Sequence, residues 1–262
     1  MKISAIVLTK NEERNIERCL KSLLFCDQII IIDDYSDDKT IDKIKSLINK
    51  NKKIDIKIIK RRLNNNFADQ KNFAIKQTRY QWILSIDADE ELTQELKDEI
   101  KILFDNPDKL VDGYYLKRRD FFWNKEMKYG EIFKARKKGF IRLFKKEVCV
   151  FQGLVHEELK IKNSNFKISQ LKNFINHYPH QTLKEFINKV NYYSSLRALE
   201  LKLKNKKANI FQIIYYPFLK FFYTYFILLG FLDGVEGFVY SFLMSFYSFL
   251  TRGKLYLENK KI

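Results

Sequence analysis

Acidic residues are scarce for the base present, cysteines are few, and neither an internal repeat nor a low-complexity linker interrupts the 262 residues. The 32 Asp and Glu stand against 49 Lys and Arg, a formal charge of +17. That balance favours an anionic partner: nucleic acid, a phosphate-bearing substrate or an acidic membrane surface. Part of the excess is compositional, because Lys, Asn and Ile are frequent throughout. Cys19, Cys26 and Cys149 are an odd number without metal-type spacing, which argues for free thiols in a reducing compartment. The opening Met1-Lys2-Ile3-Ser4-Ala5-Ile6-Val7-Leu8 reaches polar residues too soon to be read as a secretory signal. An apolar content of 46% is ample for one large domain, or one domain with an appendage.

What the chain does have is centred on Trp82-Ile83-Leu84-Ser85-Ile86-Asp87-Ala88-Asp89-Glu90-Glu91. A short apolar run of this kind makes a strand buried on both faces of a parallel sheet. It ends in crowded carboxylates that repel one another unless a cation sits among them. Oxygen ligands at a strand end suit a hard divalent ion, Mg²⁺ or Mn²⁺, with positions left for substrate phosphates, and so a nucleotide diphosphate. The competing expectation is that Asp89-Glu90-Glu91 charges the N-terminus of the next helix.

From the start of the chain, apolar runs at residues 3–8 and 29–32 read as buried strands. Between them, residues 12–24 carry Ile16, Cys19, Leu20, Leu23 and Leu24 at helical spacing, with Asn11 as a candidate cap. The turn-rich acidic loop Asp33-Asp34-Tyr35-Ser36-Asp37-Asp38 precedes an amphipathic helix over 40–48. A strand fits 54–59, a helix 68–77 and the central strand 82–86. Strands alternating with helices predict an α/β fold with a doubly wound, mostly parallel sheet. In such sheets ligands lie at the carboxyl ends of the strands, where Thr9, Asp33, Asp34, Asp87 and Asp89 would converge.

These residues carry a resemblance. Leu8-Thr9-Lys10-Asn11-Glu12, the loop from Asp33 to Thr40, Gln70-Lys71-Asn72 and Asp87-Ala88-Asp89 occur in the order and spacing of the nucleotide-sugar half of family 2 inverting glycosyltransferases of the GT-A fold. The resemblance implies that Thr9, Glu12 and Asp33 contact the nucleoside, that Asp87 lies near the ribose and that Asp89 binds the metal. The family usually has Pro where Leu8 stands and often Arg where Lys71 stands. Lys71 keeps the charge for a diphosphate contact but loses the fork geometry.

Residues 113–117 fit a strand, and Arg118-Arg119-Asp120-Phe121-Phe122-Trp123 reads mainly as core cover, with sugar stacking as the alternative. Gly139-Phe140-Ile141-Arg142-Leu143-Phe144, Gly153-Leu154-Val155-His156-Glu157-Glu158 and His177-Tyr178-Pro179-His180 resemble a subgroup, the lipopolysaccharide-core beta-glucosyltransferases. An inverting transfer needs a base on the acceptor side, since the acceptor hydroxyl attacks opposite the departing diphosphate. Glu157 and Glu158 are the candidates. The resemblance favours Glu157, and adjacent strand residues face opposite ways, so only one should reach the site. His177 resembles a position that completes the metal shell in related enzymes, with a structural histidine as the alternative. His156 is a weaker ligand candidate.

Beyond the basic cluster Lys202, Lys204, Lys206 and Lys207, residues 208–251 carry only Lys220, Asp233 and Glu236 as charges. Gln212, Pro217 and Lys220 interrupt one apolar piece, Glu236 the other, and Gly230, Asp233, Gly234 and Gly237 mark a break. Two helices in a hairpin, lying in or dipping into one leaflet, fit this pattern, with rings at the interface. Packing on the catalytic domain or a partner subunit is the alternative. The expected organisation is therefore a catalytic domain over 1–200, with a nucleotide-sugar half at 1–110 and an acceptor half at 111–200. A membrane-associating region follows at 201–262, and a cut after Lys207 should leave a soluble domain. The expected activity is metal-dependent hexosyl transfer, glucose foremost, from a uridine diphosphate sugar to a lipid-linked glycan such as a lipopolysaccharide or lipooligosaccharide core. It would take place at the cytoplasmic face of the inner (plasma) membrane. A polyprenyl-phosphate or protein acceptor is the nearest alternative. A nucleic-acid-binding protein would share the charge, but not an acidic strand-end cluster that repels phosphates. A catalytically inactive anchor would keep the fold alone.

Overall fold

The structure, a computed structural model, describes residues 2–153 and 158–260. The chain divides into two compact units, one of residues 1–119 and 137–178, the other of 120–136 and 179–262. The expected boundary at 200 falls inside a helix, Leu183–Leu203.

The first unit begins with β1 (Ile3–Thr9), α1 (Ile16–Ser22), β2 (Gln28–Asp33), α2 (Thr40–Lys50), β3 (Asp55–Lys60), α3 (Phe67–Gln77) and β4 (Trp82–Asp87). β1 pairs in parallel with β2 on one side and β4 on the other, and β2 pairs in parallel with β3. Residues alternate between two apolar layers. Ala5, Val7, Ile29, Ile31, Leu84 and Ile86 pack with α1 and α2 residues, while Ile6, Ile30, Ile32 and Ile83 pack with Ala68 and Ala74 of α3. Burial on both faces is why these strands read as unbroken apolar runs rather than alternating ones. The first helix starts at Ile16, later than residue 12, because 12–15 form a turn in which the Asn15 and Ile16 amides both donate to the Glu12 carbonyl.

After β4 the acidic residues do not begin a helix. Glu90–Leu92 is a short strand, β5, and the next helix, α4 (Gln94–Asp105), is capped by Thr93, whose hydroxyl accepts from the Leu96 amide. The sheet continues through β6 (Gly113–Phe122), β8 (Phe140–Lys145) and β11 (Ile168–His180), and β7 (Lys125–Met127) pairs with β6. Its order is β3-β2-β1-β4-β8-β6-β11-β5, and β8 joins β4 antiparallel, so a parallel half is followed by an antiparallel one. A separate two-stranded sheet holds β9 (Cys149–Gln152) and β10 (Glu158–Ile161). All three cysteines are free and buried.

The second unit is helical. After the short α5 (Phe133–Lys137) come α6 (Leu183–Leu203), α7 (Ile210–Phe222), a π turn (Tyr223–Ile227), a 3-10 turn (Gly230–Asp233) and α8 (Gly234–Lys260). Its core joins Phe122, Met127 and Ile132 to Phe186 and Val190 of α6 and Leu243 of α8. Lys254 of α8 donates to the Asn191 carbonyl and to the Ser194 and Ser195 hydroxyls of α6 at 2.6–2.8 Å.

Candidate active site

The chain order reverses between β1 and β4, and a crevice outside the carboxyl ends of strands at such a switch point is where open α/β sheets take ligands. The register sets Thr9 beside Asp33, and Leu8 beside Asp87. The buried Thr9 hydroxyl has no hydrogen-bond partner among the described residues. Asp33, fully buried, accepts from the Ser36 hydroxyl at 2.6 Å and from the Ser36 amide, which folds the acidic loop back on the strand end. Asn11 and Tyr35, both in the left-handed region, turn the two loops towards each other. The Asn11 amide donates to the Ser36 hydroxyl and the Glu13 amide to Asp38. Glu12 accepts from the Asn15 side chain at 2.8 Å, and its own amide donates to Thr40. Asp33 and Glu12 are thus each held by hydrogen bonds within the two loops.

The crowded carboxylates are compensated in a way that the sequence reading did not anticipate. Instead of awaiting one external cation, two of them are neutralised by the chain itself. Arg142 on β8 donates to Asp87 at 2.8 Å and to Glu90 at 2.7 Å, Lys71 on α3 meets Asp87 at 2.9 Å, and Arg118 on β6 lies 3.8 Å from Glu90. The second Glu90 oxygen accepts the Asp87 amide, closing the turn between them. Burial opposes the charge on Asp87, yet Arg142 and then Lys71 hold its carboxyl far below the usual range. Burial pushes the Glu90 carboxyl up, against the pull of Arg142. Lys71, expected to meet a diphosphate, is therefore an almost fully buried partner of Asp87. Its neighbours are latches: Gln70 donates to the Arg61 carbonyl, and the Asn72 amide group exchanges two hydrogen bonds with the Phe151 backbone.

Asp89 is approached from β11. His177 on β11 pairs in register with Glu90, which brings its Nε2 to 3.5 Å from Asp89 Oδ2. The Tyr178 amide donates to the Asp89 carbonyl at 2.9 Å and fixes the approach. Among the described residues no three His, Cys, Asp or Glu side chains converge as a metal cage. A carboxylate and an imidazole side by side nevertheless fit a Mg²⁺ or Mn²⁺ that draws its remaining ligands from water and substrate phosphates.

The candidate bases are placed less fully. Glu157, like His156, lies outside the described residues. Glu158 opens β10 with its side chain 74% exposed and 3.5 Å from Lys160. Arg142 and Arg118 were given no role at the strand end by motif reading, and Glu90 was read only as one of the crowded carboxylates. A lone Arg within the apolar Phe140-Ile141-Arg142-Leu143-Phe144 was the available signal, since such a residue on a central strand needs a buried anion.

Fold and site together define a class: α/β proteins whose parallel half-sheet ends in acidic residues at a topological switch point. The family model "Glycosyl transferase family 2" matches residues 4–155, and the chain belongs to that family. "Uncharacterized glycosyltransferase RT0209" of Rickettsia typhi is 33% identical over 97% of this chain and 86% of its own. "Lipopolysaccharide core biosynthesis glycosyltransferase LpsC" of Rhizobium meliloti is 28% identical over 97% and 92%. Among solved structures, the mannosyltransferase PcManGT from Pyrobaculum calidifontis, in complex with GDP-Man and Mn²⁺, superposes with a TM-score of 0.60 at 13% identity, over 98% of this chain and 87% of that one. The fold is the GT-A fold expected from the resemblance.

Proposed function

We propose that this protein is an inverting hexosyltransferase that moves a sugar, glucose foremost, from a nucleotide diphosphate to a lipid-linked glycan, a lipopolysaccharide or lipooligosaccharide core. The observation that carries the reading is the Asp89–His177 pair at 3.5 Å, two residues beyond the end of β4 at the switch point. Support for the acceptor class comes from LpsC, similar over nearly its whole length. The uridine preference rests on the family resemblance, and the solved relative named above binds a guanosine sugar.

In this reading Thr9, Glu12 and Asp33 hold the nucleoside, Asp87 is oriented towards the ribose by Arg142 and Lys71, and Asp89 with His177 would hold a divalent cation. When bound, that ion supplies charge neutralisation for the leaving diphosphate. Glu157 takes the acceptor proton. The test is a screen of nucleotide sugars for thermal stabilisation with and without Mn²⁺. A ligand at 100 times its Kd adds about 2.7 kcal/mol, a readily measured shift. Stabilisation by one sugar nucleotide that disappears with chelator is expected; indifference to every donor would overturn the reading. Glu157→Gln should then keep donor affinity while turnover falls about 10²–10⁴-fold, with Glu158→Gln much milder. The reverse ranking moves the base to Glu158.

A further inference from the structure

The helical unit presents an apolar surface that its own core does not use. No residue of α7 is buried, and Phe211, Ile214, Phe218, Leu219 and Phe222 stand out from it, Phe218 at 69% exposure. Across the bend Val235, Phe238 and Phe242 of α8 are likewise exposed. Large apolar side chains exposed together on two packed helices mark a contact with another protein or with lipid.

Charge tells these apart. The segment 208–251 has three charged residues, and each is compensated within the unit. Lys220 meets Glu131 at 2.6 Å and Glu236 meets Lys125 at 2.8 Å. The buried Asp233 carboxylate accepts the backbone amides of Lys128 and Tyr129 at 2.8–3.1 Å. In water such surface pairs contribute little, whereas at an apolar phase an unpaired charge is costly. The exposed Lys206 and Lys207 stand immediately before α7, where anionic headgroups would meet them.

Geometry limits the depth. No single described helix is long and apolar enough to cross a membrane, and residues Ile210–Ile227 meet Gly230–Lys260 at a 71° bend. The bend is locked, because the Gly130 amide donates to the Leu228 carbonyl and Asp233 is pinned as above. The 13 residues of α7 span about 20 Å, less than the ~30 Å hydrocarbon core. We propose that the α7–α8 bend seats in one leaflet of a bilayer carrying anionic lipid, with its rings at the boundary between headgroups and acyl chains. This goes beyond the transferase reading and does not depend on it.

Flotation of the full chain with phosphatidylethanolamine vesicles containing phosphatidylglycerol tests it. Wild type should float at low and at high salt. Phe211→Ser/Phe218→Ser/Phe222→Ser should partition at least tenfold more weakly with unchanged melting temperature and unchanged nucleotide binding. Glu131→Gln, which strips Lys220 of its counter-charge, should also weaken partitioning. Wild type that stays at the bottom of the gradient, or a triple variant that floats as well as wild type, overturns the proposal. So does a dimer by sedimentation that the triple variant dissociates without lipid, since the face would then bind a second copy. Loss of donor binding in catalytic-site variants leaves flotation unaffected, so the two readings fail separately.

Discussion

Arg142 carries the electrostatics of the strand end. Its guanidinium faces two carboxylates from within the sheet, and Glu90 is 1% exposed. Removing one partner of such a network leaves a buried charge uncompensated, at about 3–5 kcal/mol. Arg142→Gln should therefore lower the urea midpoint by that order, and Arg142→Gln/Glu90→Gln should recover much of the loss, because Lys71 still holds Asp87. A double variant no more stable than the single would show that Arg142 packs rather than pairs. Asp89→Asn is expected to behave oppositely. On the proposed reading this near-isosteric change should leave the melting temperature near wild type while turnover falls by orders of magnitude. The acid limb separates Asp87 from Glu90. A carboxyl depressed on folding stabilises in full above its unfolded value of about 3.9, and that contribution fades as pH falls below it. Glu90, raised on folding, contributes most at low pH and less as pH rises. Urea midpoints from pH 2 to 5 should show a flatter acid limb for Asp87→Asn and a steeper one for Glu90→Gln.

At the scale of elements, the strands around the switch point were legible to within a residue: β1 and β4 begin at Ile3 and Trp82, where their apolar runs begin. Burial on both faces keeps charged residues out of β1 and β4 until the chain reaches the ligand edge, so strand end and site were read together. β11 was not legible, because most of Ile168–His180 is only partly buried and its sequence lacks a clean apolar face. β5 is three residues long and is defined by its pairing with β11 rather than by propensity. That pairing was the step needed to bring His177 to Asp89, and spacing along the chain cannot supply it. The break before α8 was legible from its glycines, but its cause is contact. A Cβ at Gly237 would sit 2.0 Å from the Gly230 carbonyl oxygen, a backbone atom that cannot yield, whereas nothing lies within 4 Å of one at Gly253. Gly237→Ala should cost about 1–3 kcal/mol or more by overpacking. Gly253→Ala, on the same helix, should be neutral or stabilising by up to ~1 kcal/mol. Equal effects in urea melts would mean that the close approach at the break does not hold in solution.

Across the whole molecule, the C-terminal helices are tied into a core rather than appended to a finished domain. Val239, Tyr240, Leu243, Met244, Phe246, Tyr247 and Leu250 of α8 pack with Phe122, Met127, Ile132, Phe186 and Val190, while the opposite aromatic face of the bend is exposed. A soluble fragment, expected from a cut after Lys207, has this packing against it, because the cut removes apolar partners from α6, from Phe122 at the end of β6 and from the turn that carries Ile132. Burying one large apolar side chain is worth about 1.5–3 kcal/mol, and native domains are stable by only about 5–15 kcal/mol. Losing the buried Leu243 and six partly buried neighbours takes a large share of what the second unit can spare. The truncated chain should aggregate, seen as light scattering and void-volume elution, while the full chain in mild detergent runs as a defined species. Lys254→Ala, which removes the donors to Asn191, Ser194 and Ser195 but no apolar contact, should lower the melting temperature without aggregation. A monodisperse truncated chain that still binds a sugar nucleotide would restore the helices to the role of a detachable anchor.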